Sequence, residues 1–449
     1  MNAAIDDLSA LAEAAGSPIS APTGPVVPPV PEGLDDIGLP QSFLEQMVLK
    51  TLYFRGETVG YDLAAALGLR FSLIDPVIDF LRRQRLIEVK HSLGIGHMSS
   101  AFAITTTGRT SAREYLENNA YVGPVPVPLH QYQIVVREQR LKDSWLTREA
   151  LEKAFAHMVV SPRVMAQLGP AVNAGKSFLI YGQPGNGKTY LAEALFHIES
   201  TPIFIPYAIE YQGNIVQIYD PLQHHKIEEP APGAIAISTE ASYDGRWFRA
   251  RRPLIVTGGE LTLEMLDLSF NPVTRVYDAP YQLKANNGIY LIDDFGRQRV
   301  KPTEVLNRWI VPMERRVDYL SFQTGGKMEV PFETFLVFST NLKPDDLGDE
   351  AFLRRIHYKM LVQSPEEAEY CQIFRRFCSS KDLAYDEGML ARFLERHYRR
   401  TAKPMRRCHP RDIISHAIDL LRFEHRSWAL TDDVLDAAFE NCFVREVER

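Results

Sequence analysis

The residues best equipped for chemistry sit where an apolar run gives way to glycines and a lysine. In FLIYGQPGNGKT, Phe178 to Thr189, a strand-like stretch enters Gly182, Gln183, Pro184, Gly185, Asn186, Gly187, Lys188 and Thr189, and helix-compatible Tyr190, Leu191 and Ala192 follow. The glycines let backbone N–H groups turn inward around phosphate oxygens, and the start of a helix adds a favourable partial charge. Lys188 is placed to reach the β- and γ-phosphates and the Thr189 hydroxyl to coordinate Mg²⁺. The chemistry implied is the holding of a nucleotide's phosphates.

A second motif supplies carboxylates. In GIYLIDDFG, Gly288 to Gly296, four apolar residues form a buried strand that delivers Asp293 and Asp294 at its carboxyl end, where ligands of open α/β sheets bind. Asp293 suits the Mg²⁺ shell, and Asp294 suits polarisation of an attacking water. Further along, VPFETFLVFSTN (Val330 to Asn341) is another apolar strand ending in a polar pair, and the stretches DEAFLRRI (Asp349 to Ile356) and CHPRDIISHAIDLL (Cys408 to Leu421) follow.

With these motifs in this order, Thr147 to Arg449 resembles the AAA+ ATPases. The resemblance implies an α/β P-loop core with a parallel sheet, a C-terminal α-helical lid, ATP and Mg²⁺ as cofactors, and a homo-oligomeric, hexameric ring. Asn341 matches the polar sensor 1 residue that orients water against the γ-phosphate. Arg354 and Arg355 are the candidates for an arginine presented to a neighbour's nucleotide, with Arg355 preferred. Arg411 matches sensor 2, touching the γ-phosphate from the same subunit. Most members carry glutamate where Asp294 stands, so the carboxylate is set back by one methylene, as it also is in the replication-initiator branch.

Two features narrow the resemblance. RVDYLSFQTGGKMEVPF, Arg316 to Phe332, reads as two strands around a Gly325-Gly326 turn, like the extra hairpin ahead of sensor 1 in some branches. The stretch before the Asp293 strand is laid out like a helix 2 with an insertion at Leu268 to Tyr277, which places Phe270 toward a ring pore. The layout is similar to that of bacterial chaperone-like AAA+ ATPases.

These motifs need elements to position them. Residues 1–38, with Pro18, Pro22, Pro25, Pro28, Pro29 and Pro31 close together, read as a disordered Pro/Ala-rich tail with a short helix over Ile5 to Ala15. Residues 39–118 read as three helices and two strands and resemble a winged-helix domain. Then come a linker at 119–146, the ATPase core at 147–360 and the lid at 361–449. No counterpart is assigned to residues 201–253.

Composition bounds the function. A net charge of -7 exerts no global pull toward nucleic acid. Gln41 to Asn118 carries nine Lys or Arg against eight Asp or Glu, and the third helix bears Asp75 and Asp79 where a DNA reader needs cations or amides. The four cysteines show no metal spacing, no basic leader precedes Lys50 and no apolar run spans a bilayer, so a cytoplasmic protein without membrane insertion is expected. The expected function is ATP-driven remodelling of a protein client. Two alternatives stay open: a DNA-directed ATPase, and a slow ATP-binding assembly switch.

Overall fold

The computed structural model describes residues 26–92, 94, 96–141, 146–198, 200–228, 242–348 and 350–443. The expected helix over Ile5 to Ala15 lies outside them. At the centre are five strands: β1 Ser177–Tyr181, β2 Leu254–Thr257, β3 Ile289–Ile292, β4 Phe335–Thr340 and β5 Tyr358–Leu361. They pair in the order β2-β3-β4-β1-β5, every pair parallel. Continuous apolar runs suit this sheet because both of its faces are covered.

Alternation along each strand divides two cores. Phe178, Ile180, Leu291, Val337 and Met360 face a cluster with Leu168 and Leu191 of the flanking helices. Leu179, Tyr290, Ile292, Leu336 and Phe338 face the opposite cluster, built around fully buried Trp309. A one-residue slip of any central strand would exchange these sets, so the packing specifies the register.

Residues 201–253 have a definite place. Ala208–Tyr211 and Asn214–Gln217 form an antiparallel pair inside a second five-stranded sheet, bounded by Val127–Pro128 on one side and by Val276–Asp278 with Ser269–Asn271 on the other. Ile203–Pro206 pairs with Trp247–Ala250 beside it. The stretch 119–146 is therefore more than a linker: it supplies Val127–Pro128 and the helix Leu129–Glu138, whose Tyr132 and Val136 enter the same core. The hairpin Val317–Ser321 with Lys327–Pro331 closes that core through Leu320 and Met328. Phe270 packs, half-buried, on Tyr277 at 4.8 Å between ring centroids at the edge of that core. Its hairpin tip is tied to the N-terminal unit, where Ala120 N–H donates to Thr274 O at 2.7 Å and Arg275 to Glu117 O.

The N-terminal unit contains helices Gln41–Arg55, Gly60–Leu67, Phe71–Arg83 and Thr106–Asn118 around a three-stranded antiparallel sheet of Thr58–Val59, Ser100–Ile104 and Ile87–Ser92. Leu73, Ile74, Val77, Ile78 and Leu81 recur at helical spacing and are buried. Ala208, Ile215 and Val276 from the second sheet complete its core. Residues 26–38, expected to be disordered, pack here: Leu34–Ile37 is a helix with Ile37 fully buried, and Asp244 N–H donates to Pro28 O. Arg246, also buried, pairs with Asp244 at 2.7 Å and donates to Ile37 O and Gln131 Oε1.

The C-terminal region consists of helices Glu367–Ser380, Glu387–Leu394, His409–Phe423 and Asp432–Cys442 around their own apolar cluster. No described helix is long and apolar enough to cross a membrane.

One seam of the N-terminal unit, against the chain just before Trp247–Ala250, is a backbone contact. Gly68 has φ +68°, and a Cβ there would lie 2.5 Å from Gly245 O. Gly68→Ala should destabilise this seam by on the order of 2 kcal/mol, through the clash and the left-handed backbone. Calorimetry should show an earlier first unfolding transition; an unchanged profile would mean that the contact contributes nothing.

Candidate active site

The glycine loop leaves β1 at its carboxyl end. Gly182 lies so close to the chain after β5 that a Cβ would come within 2.4 Å of Val362 O, while Gly185 and Gly187 adopt φ of +77° and +79°. Gly187 caps the helix Lys188–Ala194, so the loop runs straight into a helix N-terminus. Pro184, Gly185, Asn186, Gly187, Lys188 and Thr189 all line one cavity of about 560 Å³.

Strands β3 and β4 bring the remaining groups to the same place. Thr189 Oγ1 donates to Asp293, with its oxygens at 2.8 and 2.9 Å. Lys188 Nζ donates to Asn341 Oδ1 at 2.6 Å and to Gln183 O at 3.1 Å, and Asn341 Nδ2 donates to Asp294 Oδ1 at 2.7 Å. Lys188, Asn341 and Asp294 thus form one chain of contacts beside the Thr189–Asp293 pair. Burial pushes the Lys188 ammonium below its usual range, and the Asp294 and Asp293 carboxylates pull it the other way.

The backbone explains the aspartate at position 294. Asp294 has φ +49°, a left-handed conformation that Asp and Asn tolerate because their short polar side chains bond locally. The turn is pinned by a residue without a signature in the motif: Gln298 Nε2 donates to Asp293 O at 2.8 Å, and its Oε1 accepts from Gly296 N–H at 2.7 Å. Sequence spacing misses Gln298 because its contacts are to main chain within a tight turn.

The C-terminal helices roof the cavity. Cys408 N–H donates to Gly185 O at 2.9 Å, and the Cys408 thiol occupies the space a Gly185 Cβ would need. Arg407 donates to Val159 O and to Glu369, and Arg376 to Ala156 O and Met158 O, so the roof is anchored to the segment entering the core. Val160, Tyr190, Ile373 and Phe377 form an apolar wall suited to a base. Arg411 lines the cavity but is exposed and paired with Asp412 at 2.9 Å. Arg406 is the lid arginine that bonds the loop, through Gln183 Oε1 at 3.5 Å, with Ser364 Oγ at 3.2 Å. No sequence spacing marks it, because only the fold brings residue 406 over residue 183.

Arg354 and Arg355 lie elsewhere. Arg355 O accepts from Ser177 Oγ at 3.2 Å, at the first residue of β1, whereas the loop follows its last residue. The whole strand, about 15 Å at ~3.3 Å per residue, separates the arginine pair from its own glycine loop. Arg355 is also held by Glu314 at 2.8 Å, whereas exposed Arg354 has no side-chain partner among the described residues.

The donor set suits Mg²⁺: a hydroxyl and a carboxylate already in contact offer hard oxygens, with water able to complete an octahedral shell. A loop of positive-φ glycines and a lysine beside them suits a phosphate chain.

A family described as a domain of unknown function (DUF8689) matches residues 366–441, the span of the C-terminal helices. No curated protein matches the chain. Among solved structures the chain is similar to the RuvB Holliday junction branch migration motor of Thermotoga maritima, at 16% identity over 67% of this chain and 72% of that one, with a TM-score of 0.34. NtrX from Brucella abortus aligns at 12% identity over 84% and 64%, with a TM-score of 0.39. Domain III of the Thermotoga maritima replication initiation protein DnaA aligns at 13% over 65% and 96%, with a TM-score of 0.35. At these scores the likenesses carry no functional weight.

The lid should be acid-sensitive. Burial pushes His409 from 6.5 down to about 4, with Lys403 and Arg406 acting in the same direction and Asp412 against it; Tyr398 Oη lies 2.9 Å from its Nδ1. Below about pH 6.5 the unfolded chain takes up a proton that the folded chain refuses, so His409 costs no stability above that pH and progressively more as pH falls toward 4. Thermal unfolding across this window should show the loss, and His409→Gln should flatten it. An equally steep slope in the variant would assign the acid limb to other groups.

Proposed function

We propose that this chain binds ATP with Mg²⁺ and hydrolyses it as an AAA+-type ATPase working in a ring of identical subunits. The observation that carries the reading is the convergence of Lys188, Asn341 and Asp294 in one line of contacts beside Thr189–Asp293. The strand order β2-β3-β4-β1-β5, with the glycine loop following a central strand, is in keeping with it.

In this reading the loop N–H groups and Lys188 hold the phosphates, and the lid and the Val160–Tyr190 wall enclose the base. Thr189 and Asp293 would hold Mg²⁺, which would supply charge neutralisation at the phosphates. Asp294 accepts a proton from the attacking water, and Asn341 orients that water. Arg354 of a neighbouring copy offsets charge on the transferring phosphoryl group, because the pair at 354–355 is turned away from its own site. This assigns the trans role to Arg354 rather than to the sequence-preferred Arg355, whose guanidinium is engaged with Glu314. In the roof, Arg406 joins Arg411 as a candidate reporter of the γ-phosphate.

The proposed client is a protein. We read the N-terminal unit as a winged helix used for packing: Asp75 and Asp79 are answered internally by His97, at 3.0 and 3.7 Å, and Asp79 also by Arg82 at 3.1 Å. Its helices share a core with the second sheet, so it belongs to the ring's body.

Lys188→Ala should abolish ATP binding in calorimetry. Asp294→Asn keeps the left-handed backbone and the contact with Asn341, so it should bind ATP yet hydrolyse it at least about 100-fold more slowly; full steady-state activity would assign the base elsewhere. Arg354→Ala should lower turnover by about 10³-fold, with a much smaller effect for Arg355→Ala. Mixing Arg354→Ala with Asp294→Asn should restore activity at interfaces that pair an intact arginine with an intact carboxylate, once labelled subunits are shown to exchange. Exchange without recovery, together with turnover independent of protein concentration, would mean that each chain's site is complete by itself.

A further inference from the structure

At the opposite pole of the central sheet lies a second cavity, of about 450 Å³, at the amino ends of β3 and β4. Its walls are mostly apolar, with Val172, Leu195, Phe196, Ile227 and Phe335 among them, and no aspartate or glutamate is among the described residues that line it. Into this setting the chain puts Arg252. Its Nη1 donates to Asn287 O at 2.8 Å, and its Nη2 to Gln139 O at 2.9 Å and Thr201 Oγ1 at 3.3 Å. All three partners are neutral. The Nε–H is buried and meets no acceptor among the described residues, and burial pushes the guanidinium down to about 10.

This arrangement is costly if structure is its only purpose. A desolvated cation with no counter-charge among the described residues and an orphaned buried donor are both unfavourable. A neutral amide side chain could bridge the same carbonyls without either cost. The rim adds positive character, since Arg251 also lines the cavity and is exposed.

We propose that this cavity binds a small organic carboxylate whose apolar body packs against the walls and whose charge answers Arg252. The volume is that of a small-molecule site, and a carboxylate is the planar acceptor that a guanidinium matches best. The site is separate from the nucleotide cavity, but the two share a helix run: Lys188 to Leu191 line one, and Leu195 to Ile198, immediately after that helix, line the other. His197 also contacts His157, a wall residue of the nucleotide cavity, at 5.5 Å between ring centroids.

The test is calorimetric titration of the full chain with 3-phenylpropionate, with its uncharged amide 3-phenylpropanamide, and with inorganic phosphate. The carboxylate should bind, and the amide and bare phosphate should each bind at least about tenfold more weakly. Arg252→Gln should abolish the preference for carboxylate over amide. Because Arg252 also joins three segments, Ile227→Trp serves as the second variant: it fills the cavity, leaves the guanidinium in place and should abolish binding. Lys188→Ala should bind the carboxylate like wild type, which separates this site from the nucleotide reading. Absence of carboxylate binding, equal affinity for acid and amide, phosphate binding as tight as the carboxylate, unchanged affinity in Ile227→Trp, or loss in Lys188→Ala would each overturn the proposal.

Discussion

The lysine and the second aspartate of the candidate active site are joined through the side-chain amide of Asn341. Its oxygen takes the Lys188 ammonium at 2.6 Å and its nitrogen gives to Asp294 at 2.7 Å, so a single planar group spaces a cation and a carboxylate that would otherwise meet directly. That placement exists only because β4 lies between β3 and β1 in the sheet. The three strands end side by side, and their ends carry the glycine loop, the aspartate pair and the amide. The division of alternate side chains between two cores holds the register, so packing along the strands sets the geometry of the polar groups at their ends.

The second sheet has a different role. It draws strands from 127–128, from 208–217 and from 269–278, which lie far apart along the chain and lack any local reason to pair. Its core also accepts the hairpin ahead of β4, and through Ala208, Ile215 and Val276 it completes the N-terminal unit. The buried Arg246–Asp244 pair reaches Ile37 and Gln131 as well. Such a pair gains little net stability once desolvation is counted, but removing either partner would strand a buried charge. The N-terminal helices are in this way built into the body of the molecule.

The lid touches the glycine loop and the entering segment together. Cys408 closes on Gly185, while Arg407 and Arg376 hold the main chain at 156–159. A change in the lid's angle must therefore break or carry both sets of contacts, which gives a physical route from the glycine loop to the placement of the C-terminal helices.

Residue order alone determined the local chemistry. The glycine spacing before Lys188 and Thr189, the apolar run into Asp293 and Asp294, and the strand before Asn341 were legible because each is a short segment whose function follows from its own backbone. Tertiary structure decided whatever depends on distant segments meeting. It gave 203–217 and 247–250 their strand partners, turned the supposed linker into a strand and a helix, packed residues 26–38, and set Phe270 against a core. It also separated the arginines: Glu314 holds Arg355 and leaves Arg354 exposed, while Arg406 reaches the loop that Arg411 does not bond. Long side chains such as arginine find their partners through space, and sequence spacing carries no record of which carboxylate or carbonyl the fold brings within reach.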